Sequence, residues 1–215
     1  MGKTSPDIRP RQQDTRNKKV IKIPTDLSKI QNDFDINIGN VENKFTLADT
    51  LKNGNLSSAK DIWRSQIVFL DSTLDFYVHE ITKYGMSKII NDEWETTSDF
   101  KKYKVSMKFV KTIINSPENL SLFLKEIDKI NQRSCFMNSK NIMQQLKLIG
   151  VSVSSFTEDE VKTIDYLYKR RNEIAHQADC TNGTKNSITE ADVKNFIDCV
   201  KKLQNKIQEA VKSKG

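Results

Sequence analysis

Tyr166-Leu167-Tyr168-Lys169-Arg170-Arg171-Asn172-Glu173-Ile174-Ala175-His176-Gln177-Ala178-Asp179 is the stretch on which the reading of the chain turns. Helical spacing marks Val161, Ile164, Leu167, Ile174 and Ala178 as an inward-facing stripe. Arg171 falls within it, seven residues after Ile164, where a guanidinium is costly unless something pairs with it. Asn172 and His176 are four apart, so both project from one flank of the same helix beside Arg171. Upstream, Thr157-Glu158-Asp159-Glu160 has the form of a capping box, with Phe156 and Val161 spaced as its hydrophobic staple. The spacing therefore predicts a helix over about 158–178 whose second half carries the polar set.

Working outward, an Asn-, Gly- and Thr-rich loop (Cys180 to Ser187) follows. Thr189 with Asp192 then caps a last helix striped by Val193, Phe196, Val200, Leu203, Ile207 and Val211. Towards the N-terminus, Trp63, Ile67, Leu70, Leu74, Tyr77 and Ile81 sustain a stripe of about five turns, with Arg64, Asp71 and Asp75 beside it and His79 near its end. Phe100, Tyr103, Met107, Val110 and Ile114 read as a further helix, ending before Ser116-Pro117, an N-cap and first-turn proline for the stripe Leu120, Leu124, Ile127, Ile130. A short helix, Ile142 to Ile149, stops at Gly150. No strand pattern emerges, and seven glycines with four prolines disfavour a turn-rich β protein. Several antiparallel helices around one core is the expected architecture.

Residues 1–40 read differently. Lys3, Arg9, Arg11, Arg16, Lys18, Lys19 and Lys22 face only Asp7 and Asp14 over the first 24, and Pro6, Pro10 and Pro24 interrupt any helix. The expectation is a basic, largely flexible arm, either an ordinary leader or an added attraction for nucleic acid. Ile36-Asn37-Ile38 before Gly39-Asn40 suggests a loop or short extended piece, so the helical domain is expected over 41–215. The whole chain has 215 residues, 36% hydrophobic, with formal charge +7. Its pI is about 9.2 and its mean hydropathy −0.61. That balance suits polyanionic partners or a plain lysine-rich surface. With no membrane-spanning run, no apolar leader and three scattered cysteines (Cys135, Cys180, Cys199), the chain reads as cytoplasmic with reduced thiols.

Several chemistries find no support. There is no Gly-rich loop ending in Lys-Ser/Thr, and two histidines nearly a hundred residues apart offer no metal-ligand cluster, so no metal and no cofactor is expected. Cys180 follows His176 by four residues but lacks an orienting acid. Asp71 and Asp75 share a helix face, as a metal pair would, yet a solvated face or an arginine partner is commoner. Arg171, Asn172 and His176 remain. A planar guanidinium suits a phosphate, an imidazole exchanges a proton near neutral pH, and an amide can orient either. The same residues also allow a plainer arrangement, with Arg171 paired to an acid such as Asp75 and His176 packed.

Arg171-Asn172-Glu173-Ile174-Ala175-His176 resembles the Arg-polar-x-x-x-His signature of HEPN domains, where Asn is favoured after the arginine. The likeness extends to Trp63–Ile81, with its Leu-Asp-x-Tyr-x-His-Glu run from Leu74 to Glu80. It includes Leu148-Ile149-Gly150 and Ile188-Thr189-Glu190-Ala191-Asp192-Val193, and covers roughly 57–211, as in the RiboL-PSP-HEPN subgroup. The resemblance implies an all-α, antiparallel up-and-down bundle. It also implies a metal-independent endoribonuclease, with the RNA 2′-hydroxyl attacking the adjacent phosphate to leave 2′,3′-cyclic phosphate and 5′-hydroxyl ends. In that reading Arg171, Asn172 and His176 are catalytic, Arg170 and Lys169 contact RNA, and a homodimer joins two motifs into one cleft. A toxin or phage-defence role, with an antitoxin or defence-system protein as second partner, goes with it. The alternative is a non-catalytic HEPN module binding RNA, a nucleotide or a partner protein.

Overall fold

A computed structural model of the chain describes residues 26–114, 116, 119–131, 138–152 and 154–214. The basic arm expected over residues 1–24, together with Pro117 and Cys135, lies outside the described residues. The elements in order are α1 (Leu27–Glu42), α2 (Lys44–Lys52), α3 (Leu56–Ile90), α4 (Ser98–Lys101), α5 (Met107–Ile114), α6 (Asn119–Asn131), α7 (Ser139–Leu148), α8 (Glu158–Gln177), β1 (Cys180–Thr181), β2 (Thr184–Lys185) and α9 (Glu190–Lys212). Among the described residues the fold is all-α apart from one hairpin of two-residue strands.

The spine is α3, 35 residues long and so about 52 Å at 1.5 Å per residue. Asn55 starts it, its side chain accepting the Ser58 N–H at 3.1 Å. Trp63, Ile67, Leu70, Leu74, Tyr77 and Ile81 are all buried, as their spacing predicts. Around this stripe pack α1, α2, α6, α7, α8 and α9. On α9 the predicted stripe Val193, Phe196, Val200, Leu203, Ile207 and Val211 is buried in the same core. α9 runs in the direction of α3: Glu190 reaches Lys52, Gln208 accepts from Tyr77 at 3.1 Å, and Lys214 lies over Trp94. α8 runs the opposite way, since Arg64 meets Asp179 while Asp71 meets Arg171.

Local capping explains where α8 and α9 begin. Thr157 accepts the Glu160 N–H at 3.2 Å, and the Glu160 carboxylate accepts the Thr157 N–H at 2.8 Å. Glu160 also holds Lys206 of α9 at 2.6 Å. Thr189 and Asp192 form the second box. Gly150, at φ +70, ends the turn after α7 in the left-handed conformation that favours glycine.

Three expectations change. Residues 27–42 are not a loop: they form α1, whose Ile30, Phe34, Ile38 and Val41 step by four, four and three into the core. Gly39-Asn40 passes through as ordinary helix, and the helical body includes α1, capped by Asp26, rather than starting near 41. The stripe from Phe100 to Ile114 is two helices, because Thr97 caps α4 by accepting the Phe100 N–H at 2.9 Å and Ser106 caps α5 by accepting that of Phe109 at 3.2 Å. Residues 180–185, expected as a loop, pair as a hairpin, with Asn182 (φ 50) and Gly183 (φ 79) supplying the two left-handed positions of its turn.

Candidate functional site

The last two turns of α8 are set by an acid that spacing alone did not single out. Ala178 (φ 50) and Asp179 (φ 57) both turn left-handed, and the Asp179 N–H returns to the Glu173 carbonyl at 2.9 Å. This swings the Asp179 carboxylate back under the helix, where it is fully buried. It accepts from Arg64 Nε at 2.6 Å, from Arg170 Nη2 at 3.1 Å and from Asn186 Nδ2 at 3.2 Å, with Arg170 Nη1 at 2.7 Å from its other oxygen. Burial alone would raise its pKa; hydrogen bonds from Arg64, Arg170 and Asn186 outweigh that and hold it below the usual carboxylate range. Arg64 also donates to the Asn186 carbonyl at 2.8 Å, fastening the hairpin to α3.

Arg170 is therefore the arginine that points inward, following Ile164 and Leu167 by threes. It is buried, and its guanidinium is shared between Asp179 and Glu173, the latter at 2.7 Å. Expected as an RNA contact, it is instead committed to holding the end of α8. The inward stripe departs from expectation here too: Ile174 is half-buried and Ala178 exposed, since the helix has ended before Ala178 can face the core. Lys169 stays at the surface, 3.8 Å from Glu173.

Arg171 lies at the border, its side chain 23% exposed. Its Nη1 donates to Asn172 Oδ1 at 3.1 Å, so the adjacent amide is turned onto the guanidinium. Its Nε faces Asp71 of α3 at 3.5 Å. The expected acid partner was Asp75; that residue pairs one turn further on with His79, at 3.4 Å. Asp71 is fully buried, and neither of its oxygens has a hydrogen-bond partner. Burial pushes its pKa up to about 7, with the Arg171 charge pulling it down and Asp75 raising it. His176, in the last turn of α8, is exposed. The structure thus places Arg171, Asn172 and His176 on the outer side of one helix end, with Arg171 and Asn172 in direct contact.

Asp179 was not singled out by pattern, and Asp71, noted with Asp75 as a face that an arginine could pair with, was not singled out as the partner of Arg171. A signal for Asp71 existed: Arg64, Ile67, Asp71, Leu74 and Val78 step by three and four, so both charges share the buried side of α3. Asp179 gave no such signal, because its role depends on a left-handed turn formed by non-glycine residues. Elsewhere, a groove between α5 and α6 lined by Lys108, Thr112, Lys125 and Lys129 contains no member of the Arg171–His176 set. Among the described residues no group of three His, Cys, Asp or Glu side chains is placed to hold a metal ion. Likewise, no helix among them is long and apolar enough to cross a membrane.

Searches of curated proteins and of solved structures returned no match. The sequence model of the family described as RiboL-PSP-HEPN does match, over residues 42–213. That span runs from the last residue of α1 through the whole of α9, and takes in α3, Arg171, Asn172 and His176. The all-α bundle, its long spine and the helix carrying the Arg-Asn-x-x-x-His set agree with it, and the chain belongs to the RiboL-PSP-HEPN family of HEPN domains.

Proposed function

We propose that this chain is a homodimeric endoribonuclease acting through Arg171, Asn172 and His176, and that it serves as a toxin or phage-defence effector. The observation that carries the reading is the division of labour between adjacent arginines. Arg170 is consumed by Asp179 and Glu173. Arg171 remains partly exposed beside Asn172, on the same helix end as the exposed His176. HEPN domains often act on RNA and dimerise, and the charge of +7 suits a polyanion.

In the reaction, the RNA 2′-oxygen forms a bond to the adjacent phosphorus as the bond from phosphorus to the 5′-oxygen breaks. A neutral imidazole takes the 2′-hydroxyl proton, and a second, protonated imidazole gives one to the departing 5′-oxygen. One His176 from each protomer supplies the pair. Arg171 grips the non-bridging phosphate oxygens as charge builds on them, and Asn172 holds the guanidinium plane. Phe69 and Phe76, two turns apart on the outer face of α3 and both exposed, offer apolar area of the kind a protomer interface covers.

The test is incubation of purified protein with mixed single-stranded RNA in EDTA, alongside His176→Ala and Arg171→Ala. Expected are abundant 2′,3′-cyclic phosphate ends from wild type and only a slow residual rate from either variant. Cleavage at the wild-type rate in both variants, or none from wild type, removes the reading. Sedimentation then tests the dimer.

A further inference from the structure

Two buried carboxyls meet arginines along the contact between α3 and α8, and they are built differently. Asp179 is saturated with donors at hydrogen-bonding distance. Asp71 has none: Arg171 Nε stops 3.5 Å away, and that N–H is itself buried without a hydrogen bond. Buried polar groups are ordinarily paired. A loose buried ion pair gains little against an apolar replacement of similar volume, and here the neighbours on α3 are Ile67, Leu70 and Leu74, all buried. Stability therefore does not explain the carboxyl. Its position does: it backs the one edge of Arg171 that faces inward. The charged groups bearing on it are Arg171 from α8 and Asp75 from its own helix.

We propose that Asp71 is a positioning residue for Arg171, facing the Nε edge of the guanidinium from behind so that the Nη edge is aimed outward as a phosphate-binding fork. This rests on the ribonuclease reading of the same site. Asp71 acts through Arg171 and touches no RNA. Asn172 holds Nη1 from the side at 3.1 Å, so the fork has two protein anchors and a fixed plane. Less side-chain freedom is then lost when a phosphodiester binds. A phosphate seated on the Nη edge leaves Asp71 as the counter-anchor at Nε, and the loose 3.5 Å contact is free to shorten as the anion draws the guanidinium into line.

The experiment compares wild type, Asp71→Asn, Asp71→Leu, Arg171→Ala and the double variant Asp71→Asn/Arg171→Ala. Cleavage of one single-stranded RNA is followed as kcat and KM, and each protein's melting temperature is recorded at pH 8. Both Asp71 variants are expected to melt no lower than wild type yet to lose about tenfold or more in kcat/KM, the scale of outer-shell supports. The double variant is expected to be no slower than Arg171→Ala, since Asp71 then has nothing to position. Wild-type kcat/KM in Asp71→Leu, or losses that multiply in the double variant, overturns the proposal. A second readout is independent of turnover: the Arg171 Nε–H resonance, assigned by its loss in Arg171→Ala, is expected to shift and exchange faster in both Asp71 variants. An unchanged resonance overturns the positioning role whether or not RNA is cleaved. A shifted resonance in a protein that cleaves no RNA removes the ribonuclease reading and upholds the hold of Asp71 on Arg171.

Discussion

Arg170 and Asp179 meet at 2.7 Å although nine residues separate them, because α8 ends in two successive left-handed residues that fold the chain back under its own last turn. Arg64 completes the arrangement from α3 at 2.6 Å. The C-terminal end of α8, where Arg171, Asn172 and His176 sit, is thereby tied to the spine by side chains that are themselves buried. A site on this helix end inherits the rigidity of the core beneath it.

The adjacent arginines should therefore behave oppositely on truncation. Arg170→Ala strips a fully buried carboxylate of two contacts and should cost about 3 kcal/mol or more in stability. Arg171→Ala leaves Asp71 able to take up a proton, and should stay within about 1 kcal/mol of wild type at pH 6. Urea denaturation of both variants measures this, and equal losses would contradict the division between an arginine committed to Asp179 and one left partly exposed.

Asp71 and Asp179 should give opposite pH dependences in separate windows. Asp71 is pushed up to about 7, above its ordinary 3.8, first by burial, with Arg171 opposing and Asp75 adding. Between about pH 4 and 7 the folded state then binds more protons than the unfolded state, so stability falls as pH rises and the deficit is constant above that. The deficit is on the order of 4 kcal/mol at its limit. Asp71→Asn lacks it, so its melting temperature relative to wild type should climb from pH 5 to pH 8. Asp179 is held low, and its contribution should be present above about pH 4 and lost in more acid solution. A difference between Asp71→Asn and wild type that stays flat from pH 5 to 8 would falsify the raised value.

How much of this was legible follows from the kind of interaction involved. The stripes of α3 and α9 and both threonine caps were readable because they are local and periodic: Trp63 to Ile81 and Val193 to Val211 are buried as spaced. α1 was missed because Gly39-Asn40 resembles a turn, while Ile30, Phe34 and Ile38 recur only every four residues in a polar background. Asn182-Gly183 carried the strongest short-range hairpin signal there is, but flanking strands of two residues gave it no alternation to join. At the candidate site, spacing and the HEPN likeness single out Arg171, Asn172 and His176 as the proposed set. Which arginine turns inward was not legible, because one residue of helix phase and a left-handed turn at Ala178 decide it.

Gly85 tests how closely α3 approaches the end of α7. A Cβ there would stand 2.7 Å from the Ile149 Cβ and 2.8 Å from its Cγ2 and Cδ1. Helix propensity favours Gly85→Ala by about 1 kcal/mol, whereas overpacking a well-filled contact costs about 1–3 kcal/mol. Packing should win, because the nearest atom is the Cβ of Ile149 rather than the far end of its side chain. Gly85→Ala is expected to lower the melting temperature, and a rise would mean that the α3–α7 contact yields to a methyl group at little cost.

α1 poses the last question, since the family match begins at residue 42, its final position. It is nonetheless part of the core. Phe34 is buried and meets Tyr77 edge to face at 5.1 Å between ring centres. Gln66 of α3 donates to the Val41 carbonyl at 2.8 Å, and Gln204 of α9 donates to Gln31. A helix held this way should melt together with the bundle rather than before it. Phe34→Ala is therefore expected to cost about 3–5 kcal/mol, the range for emptying a buried aromatic position, in one cooperative transition seen identically by helix content and by tryptophan fluorescence from Trp63 and Trp94. An early, separate loss of helix signal, with the tryptophans unmoved, would show instead that α1 docks on a bundle that is already complete without it.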